Sequence, residues 1–326
     1  MKIKVAVVMG GYSEEYVISL RSGQLILDNL DVNKYEIFAI HILKEGWHLV
    51  VNDQKYVIDK NDFSAMVADK KIVFDVVINT VHGTPGEDGH LQAYWKLLNI
   101  PFTGCSFYQS ALTFNKRDTL SVLSKFNIPK ANSIYTNQAE NIRFEDVKKQ
   151  LGTPFFVKPN QSGSSLGVSK VYTEDEFKPA LTKAFQEDAD ILIESFLKGR
   201  EISVGVLKYK GKTTVLGITE IVPKNDFFDY EAKYLGASTE ITPAELSSEI
   251  EKEVFALTQK IYDSLGMTGF SRVDYILVDD KHPFMIEINT NPGLSPQSIF
   301  PQQANYAGIK FADLFDNEIE IALNRK

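Results

Sequence analysis

The segment FFVKPNQSGSSLGVSKV, Phe155 to Val171, decides the fold. An apolar, β-prone run ends at Lys158 and Pro159, a loop of small polar residues follows, and a second strand-like run resumes at Leu166. A Walker-type phosphate loop leads into a helix, so this segment is a different device. It reads as a hairpin with a phosphate-binding tip. Lys158 at a strand end reaches a phosphate as a point charge, and Gly163 and Gly167 let backbone N–H groups fold over the phosphates as a cover. Ser162, Ser164 and Ser165 add hydroxyl donors without bulk. A solvent-exposed hairpin also suits Gly and Ser, but it has no use for a lysine just before its proline.

Upstream of the hairpin, short β-branched runs alternate with a helical pattern. KVAVVMG, a helix from about Ser13 to Leu30, EIFAIHIL and VFDVVINT predict a parallel sheet of Rossmann-like type. A second region starts near Thr103, where helices rich in Lys and Arg precede closely spaced strands, and an antiparallel or mixed sheet is expected. The third region holds TTVLGITEIV, a loop from about Pro223 to Ala244, and a helix from Leu246 to Leu265. The strand pair FSRVDYILV and PFMIEIN and a helix near Phe311 to Leu323 complete it. No internal repeat or low-complexity segment interrupts the chain.

At 326 residues the chain exceeds the ~250 to 300 at which single cores stop growing, so two or three domains are expected. A hydrophobic content of 44% and a charged content of 24% are those of a globular protein. A net charge of −8 offers no basic field for nucleic acid or an anionic membrane, so an anionic substrate must be met by local Lys and Arg. One cysteine, Cys105, excludes an internal disulfide framework and reads as a small buried residue rather than a nucleophile. The opening MKIKVAVVMGG turns to glycine after one short strand, with no leader or ~20-residue apolar span, and a cytoplasmic protein is expected.

Four further segments carry chemistry. GGYSEEYVISLRSG, Gly10 to Gly23, follows the first strand but lacks the G-x-G-x-x-G spacing of a dinucleotide fingerprint. Its Glu14 and Glu15 serve either the helix macrodipole or a cationic group such as an amino acid's ammonium. HGTPGEDG, His82 to Gly89, lies at the carboxyl end of a strand, where open α/β sheets bind ligands, although a structural turn capped by Asp88 competes with that reading. ILIESFLKGREISVGVL places Glu194 and Glu201 on either side of a short connector suited to an adenine edge and ribose hydroxyls. In FSRVDYILVDDKHPFMIEINTNPG, period-2 alternation puts Arg272 and Asp274 on one strand face and Glu287 and Asn289 on a partner face. Three oxygen ligands converging there suit magnesium, and Arg272 would stabilise developing negative charge.

Together these segments resemble the D-alanine:D-alanine ligase family of the ATP-grasp superfamily. The resemblance runs in order through GGYSEEYVISLRSG, HGTPGEDG, NIPFTG, VKPNQSGSSLGVSKV, ESFLKGRE, FFDYEAKY, RVDY and EINTNPGLSPQSIFP. It implies an α/β chain with α+β grasp elements in three domains: a Rossmann-like unit over 1–103, a central grasp subdomain over 104–193 and a catalytic subdomain over 194–326. It also implies ATP-dependent joining of two D-alanines through a D-alanyl phosphate, for peptidoglycan precursors and hence cell wall and cell shape. Glu15 would hold the first ammonium, latched by Ser164 and Tyr234. Lys116, Lys158 and Lys233 would hold phosphates, with Glu194 and Glu201 on adenine and ribose. Asp274, Glu287 and Asn289 would hold two magnesium ions, with manganese as a substitute. Arg272 and the Gly293 N–H would face the tetrahedral oxyanion, Ser298 would bind the second carboxylate, and His82 would lie near the acceptor. A homodimer without nucleic-acid or membrane partners is implied as well.

Departures from the family pattern bear on pocket shape. Ile18 replaces a usual valine, Phe228 a usual tyrosine, Ser195 a longer side chain and Ile299 a usual leucine, and ASTEITPAEL lacks the usual aromatic or cysteine before proline. No charged group of the mechanism is lost. A D-alanine:D-lactate ligase would be expected to alter the Lys233–Tyr234 pair, which is intact, whereas an ATP-grasp ligase for another amino acid stays open.

Overall fold

The computed structural model describes residues 2–223, 238–295 and 297–325. Among them the strands form three sheets. The first is built on β1 (Ile3–Gly10), whose run IKVAVVMG is buried from Val5 to Gly10, as a strand covered on both faces must be. It pairs in parallel with β2 (Tyr35–Leu43) and with β7 (Val76–Asn79). The helix Tyr16–Asn29 makes the crossover. It starts three residues later than expected, because Ser13 to Glu15 form a turn that presents Glu15.

The parallel expectation holds only for those three strands. β3 (Gly46–Val51), β4 (Gln54–Asp59), β5 (Ser64–Val67) and β6 (Lys70–Ile72) extend the sheet in antiparallel fashion. The connections explain it. Asn52 and Asp53, at φ 48 and 63, and Ala68 and Asp69, at φ 45 and 61, are two-residue links with paired positive φ, and such links join antiparallel neighbours only.

The second sheet has the order β10-β9-β11-β8, with β8 (Ser133–Asn137), β9 (Phe155–Pro159), β10 (Ser169–Val171) and β11 (Asp190–Ser195), antiparallel throughout. Phe155 packs against Phe144 and Phe177 from the helices Phe144–Leu151 and Glu174–Phe185. The opening segment is the expected hairpin, with Ser169 opposite Val157. Its second strand begins at Ser169 rather than Leu166. Ser164, Ser165 and Gly167 take φ of 52, 57 and 74, and successive turns from Gly163 to Val168 consume the intervening residues.

The third sheet has the order β14-β13-β12-β15-β16, again antiparallel: β12 (Gly199–Tyr209), β13 (Lys212–Pro223), β14 (Ser238–Ile241), β15 (Ser271–Val278) and β16 (His282–Asn289). The stretch read as a loop to Ala244 therefore contains β14, which pairs with Glu220–Pro223 of β13. The helix Ser248–Ser264 is capped by Ser247, whose Oγ accepts from the Ile250 N–H at 3.4 Å.

One apolar cluster ties the first sheet to the third. Val5 and Val7 of β1 share it with Leu207, Phe300, Phe315 and Ile319, the last two on the helix Phe311–Asn324. This packing brings the carboxyl ends of β1 and β7 to the end of β16. Asn291, two residues beyond β16, donates from Nδ2 to the carbonyl of Val81 at 2.9 Å. Among the described residues, no helix is long and apolar enough to cross a membrane.

Candidate active site

Two cavities meet at the tip of the β9–β10 hairpin. The first, of ≈ 230 Å³, opens between the second and third sheets and is lined by Lys116, Phe156, Lys158, Glu194, Glu201 and Glu287, among others. The second, of ≈ 370 Å³, lies between the first and third sheets and is lined by Glu15, His82, Arg272, Gly293 and Ser298, with Glu240 on its wall. The loop serves both: Ser162 and Ser165 face the first, Gly163 and Ser164 the second.

In the first cavity Lys158 and Glu194 form a buried ion pair. Glu194 is expected on an adenine edge; its carboxylate instead pairs with the lysine while still lining the cavity. Glu201, early in β12, lines the same cavity, as do the rings of Phe156 and Phe196. Lys116 begins the helix Lys116–Ser124, whose N-cap Asn115 accepts from the Asp118 N–H at 3.0 Å. Its Nζ donates to the Ser162 carbonyl at 2.7 Å and lies 3.9 Å from Glu287 Oε2, joining hairpin loop to β16.

The β15–β16 register sets Arg272 opposite Asn289 and Asp274 opposite Glu287, so the two pairs lie on shared faces as the alternation predicts, in a register that the alternation does not give. A bulge follows at once, with Tyr275 opposite Met285, so the pairing of carboxylates sits where the strands are locally twisted. Asp274 is saturated: it accepts from Arg272 Nε and Nη2 at 2.9 Å each, from Asn289 Nδ2 at 3.1 Å and from Ser203 Oγ at 2.5 Å. The donor set of two carboxylates and an amide oxygen is hard and oxygen-only, which fits magnesium in kind. A metal there would compete with Arg272 for Asp274. Among the described residues, no three His, Cys, Asp or Glu side chains are gathered in a metal-holding group.

In the second cavity Ser164 donates a hydrogen bond to Glu15 Oε1. The approach needs a bare backbone: a Cβ on Gly163 would stand 2.8 Å from Glu15 Oε2. Glu15 therefore does more than face the helix dipole. Tyr234 and Lys233 lie outside the described residues. His82 is buried, with Nδ1 3.5 Å from Glu87 Oε1 and Nε2 3.4 Å from Ser22 Oγ. Burial opposes its protonation, but the hydrogen bond and charge of Glu87, with the charge of Glu15, outweigh that and hold its pKa above the ordinary value. Asp88 takes the capping role expected of it only in part: it accepts from the His90 N–H at 3.2 Å, while Gly89, at φ 89, is the N-cap.

Ser298 stands at the N-cap position of the helix Ile299–Tyr306, where its hydroxyl shares a hydrogen bond with Ser295 Oγ at 2.8 Å rather than capping the helix. A Cβ on Gly293 would lie 3.0 Å from Ser298 Oγ, so the glycine lets the NPG turn close on the serine. Several participants lie outside what the motifs point to. Ser22 links His82 to the Leu294 N–H, at 3.0 Å, and Ser203 holds Asp274. Gln302 holds Glu240 at 3.0 Å. Ser203 is a buried polar residue between Ile202 and Val204 in the apolar stretch of β12, which is a weak signal in the sequence; Ser22 lies within the Gly10–Gly23 segment with nothing to single it out, and Gln302 carries no signal.

A family model described as D-ala D-ala ligase N-terminus matches residues 4–105, and one described as D-ala D-ala ligase C-terminus matches residues 122–320. The chain is 65% identical over 324 residues to a D-alanine–D-alanine ligase of Flavobacterium psychrophilum, covering 99% of this chain and 98% of that one. Among solved structures, the D-alanyl-alanine synthetase A of Vibrio cholerae superposes with a TM-score of 0.90 at 27% identity, covering 99% of this chain and 98% of that one. The VanG D-Ala:D-Ser ligase of Enterococcus faecalis gives 0.88 at 29% identity, covering 99% and 100%.

Proposed function

The chain belongs to the D-alanine–D-alanine ligase family, and on that premise we propose how its residues divide the work of joining two D-alanines at the expense of ATP. It is an enzyme of the ATP-grasp fold, whose product is a peptidoglycan precursor. ATP lies in the first cavity, its base against Phe156 and Phe196, its ribose toward Glu201, and its phosphates toward Lys116, Lys158 and the hairpin tip. Lys233 adds to that cationic set. Glu15 receives the ammonium of the first D-alanine, with Ser164 and Tyr234 closing over it. The carboxylate of that D-alanine attacks the terminal phosphate, giving an acyl phosphate and ADP. The amine of the second D-alanine then attacks the acyl carbon, and inorganic phosphate leaves. Arg272 and the Gly293 N–H face the oxyanion formed in that attack, Ser298 takes the second carboxylate, and His82 with Glu87 shapes the acceptor side.

Asp274, Glu287 and Asn289 would hold magnesium, which would neutralise phosphate charge when bound. The protein residues otherwise act by positioning, which is most of what phosphoryl transfer requires. The three sheets support a division into 1–103, 104–193 and 194–326, and a cytoplasmic homodimer completes the reading.

The observation that carries this proposal is the shared hairpin tip, with Ser162 and Ser165 on one cavity and Gly163 and Ser164 on the other. One loop thus brings a phosphate end and an amino-acid end together. The test is to incubate the purified protein with ATP, magnesium and D-alanine. Dipeptide and phosphate in equal amounts, both requiring the metal, are expected; phosphate without dipeptide would overturn the reading.

A further inference from the structure

The second cavity holds a carboxylate for which the roles above have no use. Three carboxylates line it among the described residues: Glu15, Glu87 and Glu240. Glu15 is engaged by Ser164 on the donor side, and Glu87 is committed to His82 and to the Gly83 N–H at 3.0 Å. Glu240 sits apart from both. It lies on β14 opposite Ile221, on the face of the short strand that turns inward, while its neighbours Thr239 and Ile241 are exposed. Gln302 Nε2 donates to Glu240 Oε2 at 3.0 Å and to the Gln297 carbonyl at 2.8 Å, fixing the carboxylate to the turn that carries Ser298.

Geometry links Glu240 to the acceptor. Ser298 is the N-cap of the helix that carries Gln302, and the Gln302 N–H donates to the Ser298 carbonyl at 3.3 Å, so the two residues bracket the helix's first turn. An amino acid whose carboxylate rests at Ser298, at the positive end of that helix, carries its ammonium only one carbon away. The side chain held by Gln302 is the negative group at that turn. Burial raises the pKa of the Glu240 carboxyl, against the hydrogen bond from Gln302 and the charge of Arg272, as fits a group whose positive partner arrives with substrate.

We propose that Glu240 recognises the amino nitrogen of the acceptor amino acid and so favours an amine over a hydroxy acid as the second substrate. The inference rests on the ligase reading above. Glu240 is a specificity residue here: it holds the incoming nitrogen beside the acyl carbon, and the bonds made and broken are those already described.

The test uses the full-length enzyme and Glu240→Gln and Glu240→Asp variants, with ATP and D-alanine, and with D-lactate offered as a competing acceptor. Wild-type enzyme must first form the dipeptide; if it does not, the ligase reading fails and this inference with it. With the dipeptide formed, Glu240→Gln is expected to raise KM for the second D-alanine about tenfold or more, as loss of a charge-assisted contact does, while KM for ATP and for the first D-alanine stays nearly unchanged. The depsipeptide-to-dipeptide ratio should rise, and Glu240→Asp should recover part of the acceptor KM. An unchanged acceptor KM would overturn the proposal. So would an equal loss with D-lactate and D-alanine, since that is the effect of a residue that only buttresses Gln302 and Ser298. Weakened ATP binding in both variants would count against it in the same way.

Discussion

Ser164 donates a hydrogen bond to Glu15 across 149 residues of sequence, joining the tip of the β9–β10 hairpin to the start of the first crossover helix. Ser164 holds a left-handed φ of 52 to make that contact, a conformation that costs a non-glycine residue of order 1 kcal/mol. The cost is offset only where the contact matters. The hairpin proposed to cover the phosphates is thus fastened to the residue proposed for the donor ammonium, which would couple nucleotide cover to donor site.

Removing the charge of Glu15 should therefore act on the donor. Glu15→Gln keeps the shape and the Ser164 contact but leaves the ammonium without its counter-charge, at a cost of several kcal/mol when buried. KM for the first D-alanine should rise far more than KM for ATP. Steady-state kinetics with the two substrates varied separately decide it, and equal effects on both would assign Glu15 to the helix alone.

Magnesium dependence should run through Glu287. This carboxylate lines the first cavity and stands 3.9 Å from Lys116, whereas Asp274 is held by Arg272, Asn289 and Ser203. Glu287→Gln should cut turnover sharply and raise the magnesium concentration needed for half-maximal rate, with melting temperature little changed. Wild-type turnover at wild-type magnesium demand would remove Glu287 from the metal set.

The hairpin and the β15–β16 ladder are legible in the sequence for one reason: a strict two-residue period leaves polar residues at fixed, countable positions. Counting puts Arg272 with Asp274 and Glu287 with Asn289 on shared faces, but from the Val278–His282 end it reaches Ile286 opposite Asp274; the bulge beside Asp274, which no spacing reveals, is what brings Glu287 there. Glu240 offers no such handle, since a four-residue strand whose inward residues, Ser238 and Glu240, are both polar has no apolar period to read. The start of β10 is displaced from its expected place because positive φ at Ser164 and Ser165 is uncommon outside glycine. By contrast, Asn52-Asp53 between two apolar runs is a visible hairpin signal that argues against an all-parallel first sheet. The pairing of Glu194 with Lys158 depends on which side chains two adjacent strands bring together, and spacing along one chain does not reveal it.

Stability should fall as pH rises toward neutrality because of Glu318. This residue is fully buried in the helix Phe311–Asn324, and burial pushes its carboxyl up to about 7, against the charge of Arg325 and hydrogen bonds from Gly104 and Asn317. A carboxyl whose folded pKa lies above its unfolded value binds more protons when folded. Below the unfolded value, near 4.5, both states are protonated and nothing is lost. Between there and about 7 the folded state gives up stability, of order a few kcal/mol at most. Glu318→Gln should flatten this part of the pH profile of denaturant midpoints; an unchanged slope from pH 5 to 7.5 would contradict it.

The buried Lys158–Glu194 pair separates stability from function. Each side chain is nearly shielded from water, so either one alone would be an uncompensated buried charge. Lys158→Met should therefore destabilise by about 3 to 5 kcal/mol and abolish phosphate transfer together. Replacing both, in Lys158→Met with Glu194→Met, removes the orphaned charge and should return most of the stability, since an apolar pair of similar volume is often as stable as the ion pair. Activity should not return if Lys158 meets phosphate as proposed, because that cation is still missing. Denaturant melts of the single and double variants, read beside their phosphate release, test both halves. Recovery of turnover in the double variant would mean that Lys158 serves only to hold Glu194, and that the phosphates are met by Lys116 and Lys233 without it.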